Sequence, residues 1–440
     1  MISSVDKIFY FARLNQNVLE HLLFAFYLIL FAWLVTKVKF FTSSGLTSSQ
    51  LVILFLFKVM AGIFYGWIGI YYGEMAKMID TWGYHFESLQ EYALLKKDPL
   101  IFFTNLFQSN YEGGYGNFLS TENSWWNDVK ANMLIKIMAI FNLFSFGQYY
   151  TNIIFYSFFT MFGPMAIYRV MKDHYSMGNL AVLLACFFIP SFLYWTSGLH
   201  KEGLIFFGLA MVIYHFYFGF KEDRFRLTRI LAIIACLFLI LILRNFLIII
   251  LLPPLLGWML SEKFKKPVLV FITIAAVSVI LFFTSKYIDP QLDLPQATLT
   301  KQKEFFNLSG GSTVPVKELE PDFIGFVKNA PQALSLSIIR PYPSDVSHLL
   351  SLAAAIEINI LLFLFIIFLI WKKKGNKISA LLLFLLFFSF AELMMVGYTV
   401  NNLGAIVRYR SIVLPLLLIP VVANINWKRI NELVFKNDIK

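Results

Sequence analysis

The chain has 440 residues, of which 59% are hydrophobic, 18% aromatic and only 14% charged, where a soluble protein carries roughly 25% charge. With a mean hydropathy of +0.70, this composition excludes a small soluble enzyme, a DNA-binding domain or a disulfide scaffold and predicts an integral membrane protein. The formal charge is +11, but Lys and Arg are scattered through short loops and form no basic stripe. Nucleic acid is therefore excluded as a partner, and membrane lipid or phosphate is expected.

Residues 1–16 are too polar for a signal-peptide core, so the first apolar block is expected to be retained. Apolar blocks lie at 17–36, 50–72, 149–168, 178–195, 203–219, 229–243, 246–260, 267–284, 350–370, 378–398 and 411–425. They run without the period-two alternation of barrel strands, at about the length a helix needs to cross a hydrocarbon core roughly 30 Å thick. The predicted fold is all-α: a polytopic transmembrane helical bundle of about eleven spans, read as a single transmembrane domain over 1–440. The stretch 229–260 is interrupted by Arg244-Asn245 and by Pro253-Pro254, and is read as two short helices meeting at Arg244. Cys186 and Cys236 sit in apolar blocks, where a small buried thiol is common and a zinc site would need more ligands.

One orientation puts the short basic loops on one face: Lys37/Lys39, Arg169/Lys172, Lys221/Arg224/Arg226/Arg229, Lys263/Lys265/Lys266, Lys372/Lys373/Lys374/Lys377 and the tail Lys428/Arg429. By the positive-inside rule that face is cytoplasmic. A multi-pass inner (plasma) membrane protein follows, with the N-terminus outside and the C-terminus in the cytoplasm. Two long segments, 73–148 and 285–349, then lie on the non-cytoplasmic side. The first mixes aromatics with polar residues and is expected to form interfacial helices near 86–108 and 127–146. The second has a loop tip at Gly310-Gly311-Ser312.

Polar residues on the outer side carry the candidate chemistry. Asp80, with Tyr84 and His85 close by in sequence, fits a general base for a hydroxyl acceptor, a metal ligand or a solvated loop acid. The short loop YWTSGLHKEG holds His200, Lys201 and Glu202 at the head of the next helix. There the helix N-terminus and a lysine favour a phosphate, while Glu202 equally suits a dipole cap. Arg244, Arg340, Arg408 and Arg410 are costly in or against hydrocarbon and need partners, either phosphates or headgroups reached by snorkelling. Glu357 and Glu392 fall inside spans and qualify as a proton path or, for Glu357, as a partner for an arginine. Lys58 is expected to snorkel toward the cytoplasmic side. His174 and His215 receive no role.

This layout resembles the GT-C class of polytopic glycosyltransferases, which use polyprenyl-phosphate-linked sugars. YWTSGLHKEG and GAIVRYRSIVLP resemble segments of bacterial GT-C-like proteins of polysaccharide and protein-glycosylation loci. The resemblance implies a long outer loop with an acid near its start, matched by Asp80, interfacial helices matched by 86–146, and basic residues for the lipid phosphate. Thr81 stands where several members carry a second acid, so a divalent metal stays open as a cofactor.

The function expected is transfer of a sugar from a polyprenyl-phosphate-linked donor to a hydroxyl of a glycan or protein acceptor on the outer face. Asp80 would serve as base with help from His85; His200, Lys201, Glu202, Arg244, Arg340, Arg408 and Arg410 would bind substrate or lipid phosphate. A single base without a nucleophile implies inversion. Two alternatives stand beside it: a polysaccharide polymerase or ligase working through Arg340 and His348, and a transporter or lipid flippase with its path at Glu357 and Glu392.

Overall fold

A computed structural model describes residues 18–72, 80–109, 111, 124–175, 179–308, 311–373 and 378–435. The expectations for residues 1–16, Gly310, Lys374 and Lys377 lie outside the described residues. Within them the chain is all-helical, with only two isolated β-bridges, Thr313 with Asn402 and Lys372 with Ile425.

Among the described residues seven helices are long and apolar enough to cross a membrane, or up to nine if two bent pairs each count once. The seven are α2 (Ser48–Tyr71), α6 (Tyr149–Tyr175), α9 (Lys201–Lys221), α11 (Asn245–Phe264), α12 (Pro267–Ile288), α15 (Leu349–Trp371) and α16 (Ala380–Thr399). Two further apolar helices are shorter, α1 (Val18–Val35) and α10 (Leu227–Leu243). At 1.5 Å per residue the 17 residues of α10 reach about 26 Å, short of a full hydrocarbon core. The chain is thus a multi-pass helical protein.

Two blocks expected as straight spans are broken. Block 178–195 divides into α7 (Asn179–Phe187) and α8 (Pro190–Ser197), bent by 50°. Pro190 is the first residue of α8, the position where its missing N–H costs no intrahelical bond. The last block begins earlier than expected, as α17 (Leu403–Ser411), and turns by 61° into α18 (Leu414–Asn424), where Pro415 occupies the first turn. Arg408 and Arg410 accordingly stand on a separate short helix. The break expected at Arg244 is present, with Arg244 at φ −157 and ψ 78 between α10 and α11.

The chain folds as two compact units. The first comprises Met1–Arg169, Leu193–Phe216 and Phe225–Asn245. In it α2 opens with a reciprocal cap between Thr47 and Gln50, which satisfies two orphan amides. The 73–148 segment forms α3 (Asp80–Lys97), α4 (Pro99–Thr104) and α5 (Trp125–Ser145). Polar pairs lock α3 to α5: Lys136 Nζ to Glu91 Oε2 at 2.7 Å, and the buried Asn142 Nδ2 to Ser88 Oγ at 3.0 Å.

The second unit comprises Val170–Phe192, Tyr217–Arg224 and Phe246–Lys440. It contains α13 (Leu294–Asn307), α14 (Phe323–Leu334), a π-turn at Ser335–Ile339 and the C-terminal α19 (Trp427–Phe435). The loop at Ser312 is tied down: Ser312 Oγ lies 3.1 Å from Asn402 Oδ1, and Leu403 N–H donates to the Ser312 carbonyl at 3.0 Å.

Candidate functional site

Asp80 is the first residue of α3, and its two successors dock that helix. Trp82 donates Nε1–H to the Gly66 carbonyl at 2.9 Å and stacks on Tyr149 with ring centroids 3.9 Å apart. The Thr81 hydroxyl sits 2.7 Å from the Tyr149 hydroxyl and donates to the Leu199 carbonyl at 3.1 Å. The start of α3 is thereby pinned against the bend Gly198–His200 that joins α8 to α9.

His85, expected to assist Asp80, is elsewhere. Its ring is buried edge-on against Tyr149, centroids 5.3 Å apart. Burial pushes its pKa down to about 4, only partly opposed by a hydrogen bond to the Gly147 backbone, because the charged imidazolium loses its water. The imidazole that reaches Asp80 belongs to His200.

His200 Nε2 lies 3.9 Å from Asp80 Oδ2, within ion-pair range but beyond a hydrogen bond. Its other nitrogen, Nδ1, contacts the Glu202 carboxylate directly. Arg244 Nη2 donates to Glu202 Oε1 at 2.6 Å. A four-membered chain results, Asp80 to His200 to Glu202 to Arg244. It runs from a carboxylate 59% exposed to side chains with 1%, 0% and 3% exposure. The guanidinium compensates a carboxylate that hydrocarbon alone would not tolerate, as buried charges require. The break at Arg244 and the bend before α9 deliver these groups from separate helices.

The bend itself is fixed by donors. Tyr156 donates its hydroxyl to the His200 carbonyl, and Lys58 Nζ donates to the Thr196 carbonyl at 2.8 Å, with the Ser197 hydroxyl at 3.3 Å. Lys58 is therefore not a snorkelling residue. It is buried at 2% exposure, because its Nζ finds three oxygens at the C-terminus of α8, the Thr196 carbonyl, Thr196 Oγ1 and Ser197 Oγ. Gly198 makes the approach feasible: a Cβ there would lie 2.1 Å from the Tyr65 ring. Lys201 follows at the head of α9, half-buried.

In the second unit Arg410 is fully buried. Its Nη1 donates to the Arg340 carbonyl, and the charge of Glu357 acts on it. Its Nε and Nη2 make no hydrogen bond among the described residues. Arg340 pairs through Nε with Asp345 Oδ2 at 3.2 Å and lies over the Tyr342 ring. Arg408 is half-buried over Tyr409. Glu357 Oε2 accepts the Ser191 N–H at 2.5 Å. Glu392 is buried on α16. His348, the alternative reactive residue, caps α15 by accepting the Ser351 N–H on Nδ1 at 3.2 Å, which occupies that nitrogen structurally.

Comparison with protein-family models, curated proteins and solved structures finds no match to this chain.

The chemistry of the site thus rests on its own geometry. Among the described residues no group of three or more His, Cys, Asp and Glu side chains could hold a metal ion. Asp80 and Glu202 sit at opposite nitrogens of one imidazole, so their carboxylates do not converge on a common point. What the arrangement can do is hold a solvent-reaching carboxylate near an imidazole fixed from its other side. With Nδ1 committed to Glu202, Nε2 is the nitrogen turned toward Asp80. The sequence singled out all four members, His200 and Glu202 as one cluster and Asp80 and Arg244 each alone. It missed Lys58, Thr81, Trp82 and Tyr156 as their supports, and the one usable signal was a lysine deep inside an apolar span.

Proposed function

We propose that this protein is a GT-C-like, inverting membrane glycosyltransferase of the inner membrane. It moves a sugar from a polyprenyl-phosphate-linked donor to an acceptor hydroxyl on the non-cytoplasmic face. The observation that carries this reading is the exposed Asp80 carboxylate backed by the buried chain His200, Glu202 and Arg244. Such backing is what a general base needs: a reachable oxygen, and a partner that shares the proton once taken. The likeness of layout to the GT-C class supports the same reading.

In the reaction the acceptor hydroxyl gives its proton to Asp80 as its oxygen bonds the anomeric carbon. The bond from that carbon to the phosphate oxygen breaks, and the lipid phosphate leaves with the electron pair. His200 holds the protonated carboxyl through Nε2, and Glu202, neutralised by Arg244, keeps the ring in that orientation. Lys201, at the head of α9 in the same unit, is the residue proposed for the leaving phosphate. Arg340, Arg408 and Arg410 belong to the second unit and are proposed by themselves as a lipid-phosphate contact, with the buried donors of Arg410 left over. Each charged contact is worth about 1.5–3 kcal/mol.

The test uses purified chain with a polyprenyl-phosphate sugar and a glycan acceptor. Asp80→Asn should lower transfer by about 100-fold or more with an unchanged melting temperature, and full activity in that variant overturns the base assignment. Donor binding retained after Arg408→Ala with Arg410→Ala removes the phosphate role.

A proton-coupled transporter is a second reading, favoured by the same run of titratable groups from exposed Asp80 to buried Glu202. It requires activity in proteoliposomes that collapses with a proton ionophore. Transfer in detergent, where no gradient exists, rejects it.

A further inference from the structure

The imidazole of His200 is surrounded by aromatic rings from three elements. Tyr65 of α2, Tyr84 of α3 and Trp195 of α8 have centroids 6.3, 6.3 and 6.2 Å from it. Tyr65 is buried, whereas Tyr84 and Trp195 are half-buried. Both partly open rings thus stand beside the same imidazole that meets exposed Asp80.

We propose that Tyr84 and Trp195 form a stacking platform for a neutral pyranose next to Asp80, so that the acceptor is a carbohydrate and not a protein side chain. The proposal rests on the glycosyl-transfer reading and names its acceptor. A pyranose has one face of C–H groups and a rim of hydroxyls. An indole and a phenol offer the matching combination, a broad apolar face with a polar tip, and Asp80 supplies an acceptor for a rim hydroxyl.

Two other occupants fit less well. A peptide is usually held through its backbone, yet the carbonyls of Thr196, Leu199 and His200 at this bend already accept from Lys58, Thr81 and Tyr156. A quaternary ammonium would be drawn to aromatic faces and a carboxylate. Here, however, among the described residues Lys58, Lys201 and Arg244 stand at the same bend against Asp80 and Glu202, a balance that disfavours a cation.

The experiment is saturation-transfer NMR on the full chain in nanodiscs, with no donor present. Its probes are the methyl pyranosides of glucose, galactose, mannose and N-acetylglucosamine, with choline and an acetylated serine amide as competitors. At least one pyranoside should bind, with saturation concentrated on the C–H protons of one ring face. Trp195→Ala should weaken it about ten-fold or more, and Trp195→Phe, which keeps a ring and guards against misfolding, by less. Three results overturn the proposal: no pyranoside binds, binding is indifferent to both Trp195→Ala and Tyr84→Ala, or choline or the serine amide displaces the sugars. Because binding is measured without transfer, Asp80→Asn separates the two readings. Lost stacking with intact catalysis refutes the platform alone, and intact stacking with unimpaired transfer in Asp80→Asn refutes the base alone.

Discussion

Lys58 Nζ donates to the carbonyl of Thr196 across 138 residues of sequence, at 2.8 Å. A lysine Nζ in the interior of α2 thus closes the C-terminal end of α8, immediately before the bend that presents His200. Lys58→Met keeps the length of the side chain and removes its donors. Losing this buried donor should cost about 1–3 kcal/mol, read as a lowered melting temperature in detergent. An unchanged melt shows that the contact contributes nothing.

Arg244 and Glu202 make a second prediction. Arg244→Met leaves a buried carboxylate uncompensated and should destabilise the fold by about 3–5 kcal/mol. The double variant Arg244→Met with Glu202→Leu removes both charges and should recover most of that loss, because an apolar pair of similar volume avoids the desolvation cost. A double variant no more stable than Arg244→Met alone contradicts the pairing.

His85 makes stability depend on pH. Its folded pKa of about 4 lies below the unfolded value of 6.5, so between those values the unfolded chain binds a proton that the native chain does not. Stability therefore falls as pH drops from about 6.5 to 4, by about 3 kcal/mol at most, at 1.36 kcal/mol per unit. The slope from this residue should vanish in His85→Phe, and melting temperatures across that range measure it. A wild-type slope surviving in His85→Phe assigns the effect to other groups.

Gly198→Ala places a methyl group 2.1 Å from the Tyr65 ring, and overpacking of this kind costs about 1–3 kcal/mol. The bend must shift, carrying His200 with it. The variant should therefore lose transfer more than stability, and Tyr65→Leu in the same chain should restore part of both. Activity falling only in proportion to the folded fraction would contradict this.

The helices were legible because apolar runs and their interruptions are local facts: Arg244-Asn245 breaks a run and the structure breaks there. The bend at Pro190 was not, since a proline averaged into an apolar window barely changes its hydropathy, and Pro164 and Pro253-Pro254 lie inside unbroken helices. Asp80, His200, Glu202 and Arg244 could each be marked as unusual for their surroundings. Their order in one chain could not, because hydropathy records what a residue avoids and not which distant group it meets. His85 illustrates the limit. Nearness in sequence suggested it for Asp80, whereas α3 turns it into the packing around Tyr149 and brings His200 in from another helix.

The broken segment α7–α8 bears on how the protein is made. At 1.5 Å per residue, helices of 9 and 8 residues are about 14 and 12 Å long, and neither crosses a bilayer unaided. Their open ends need acceptors and donors that lipid does not provide. The donor for Thr196 is Lys58, synthesised much earlier, and until the bend arrives that lysine stands in α2 at an apparent insertion cost of about 2.5–3.5 kcal/mol. During synthesis α2 therefore precedes the residue that accepts from its lysine by 138 positions, and the contact that organises the finished site joins an early part of the first unit to one of its later ones.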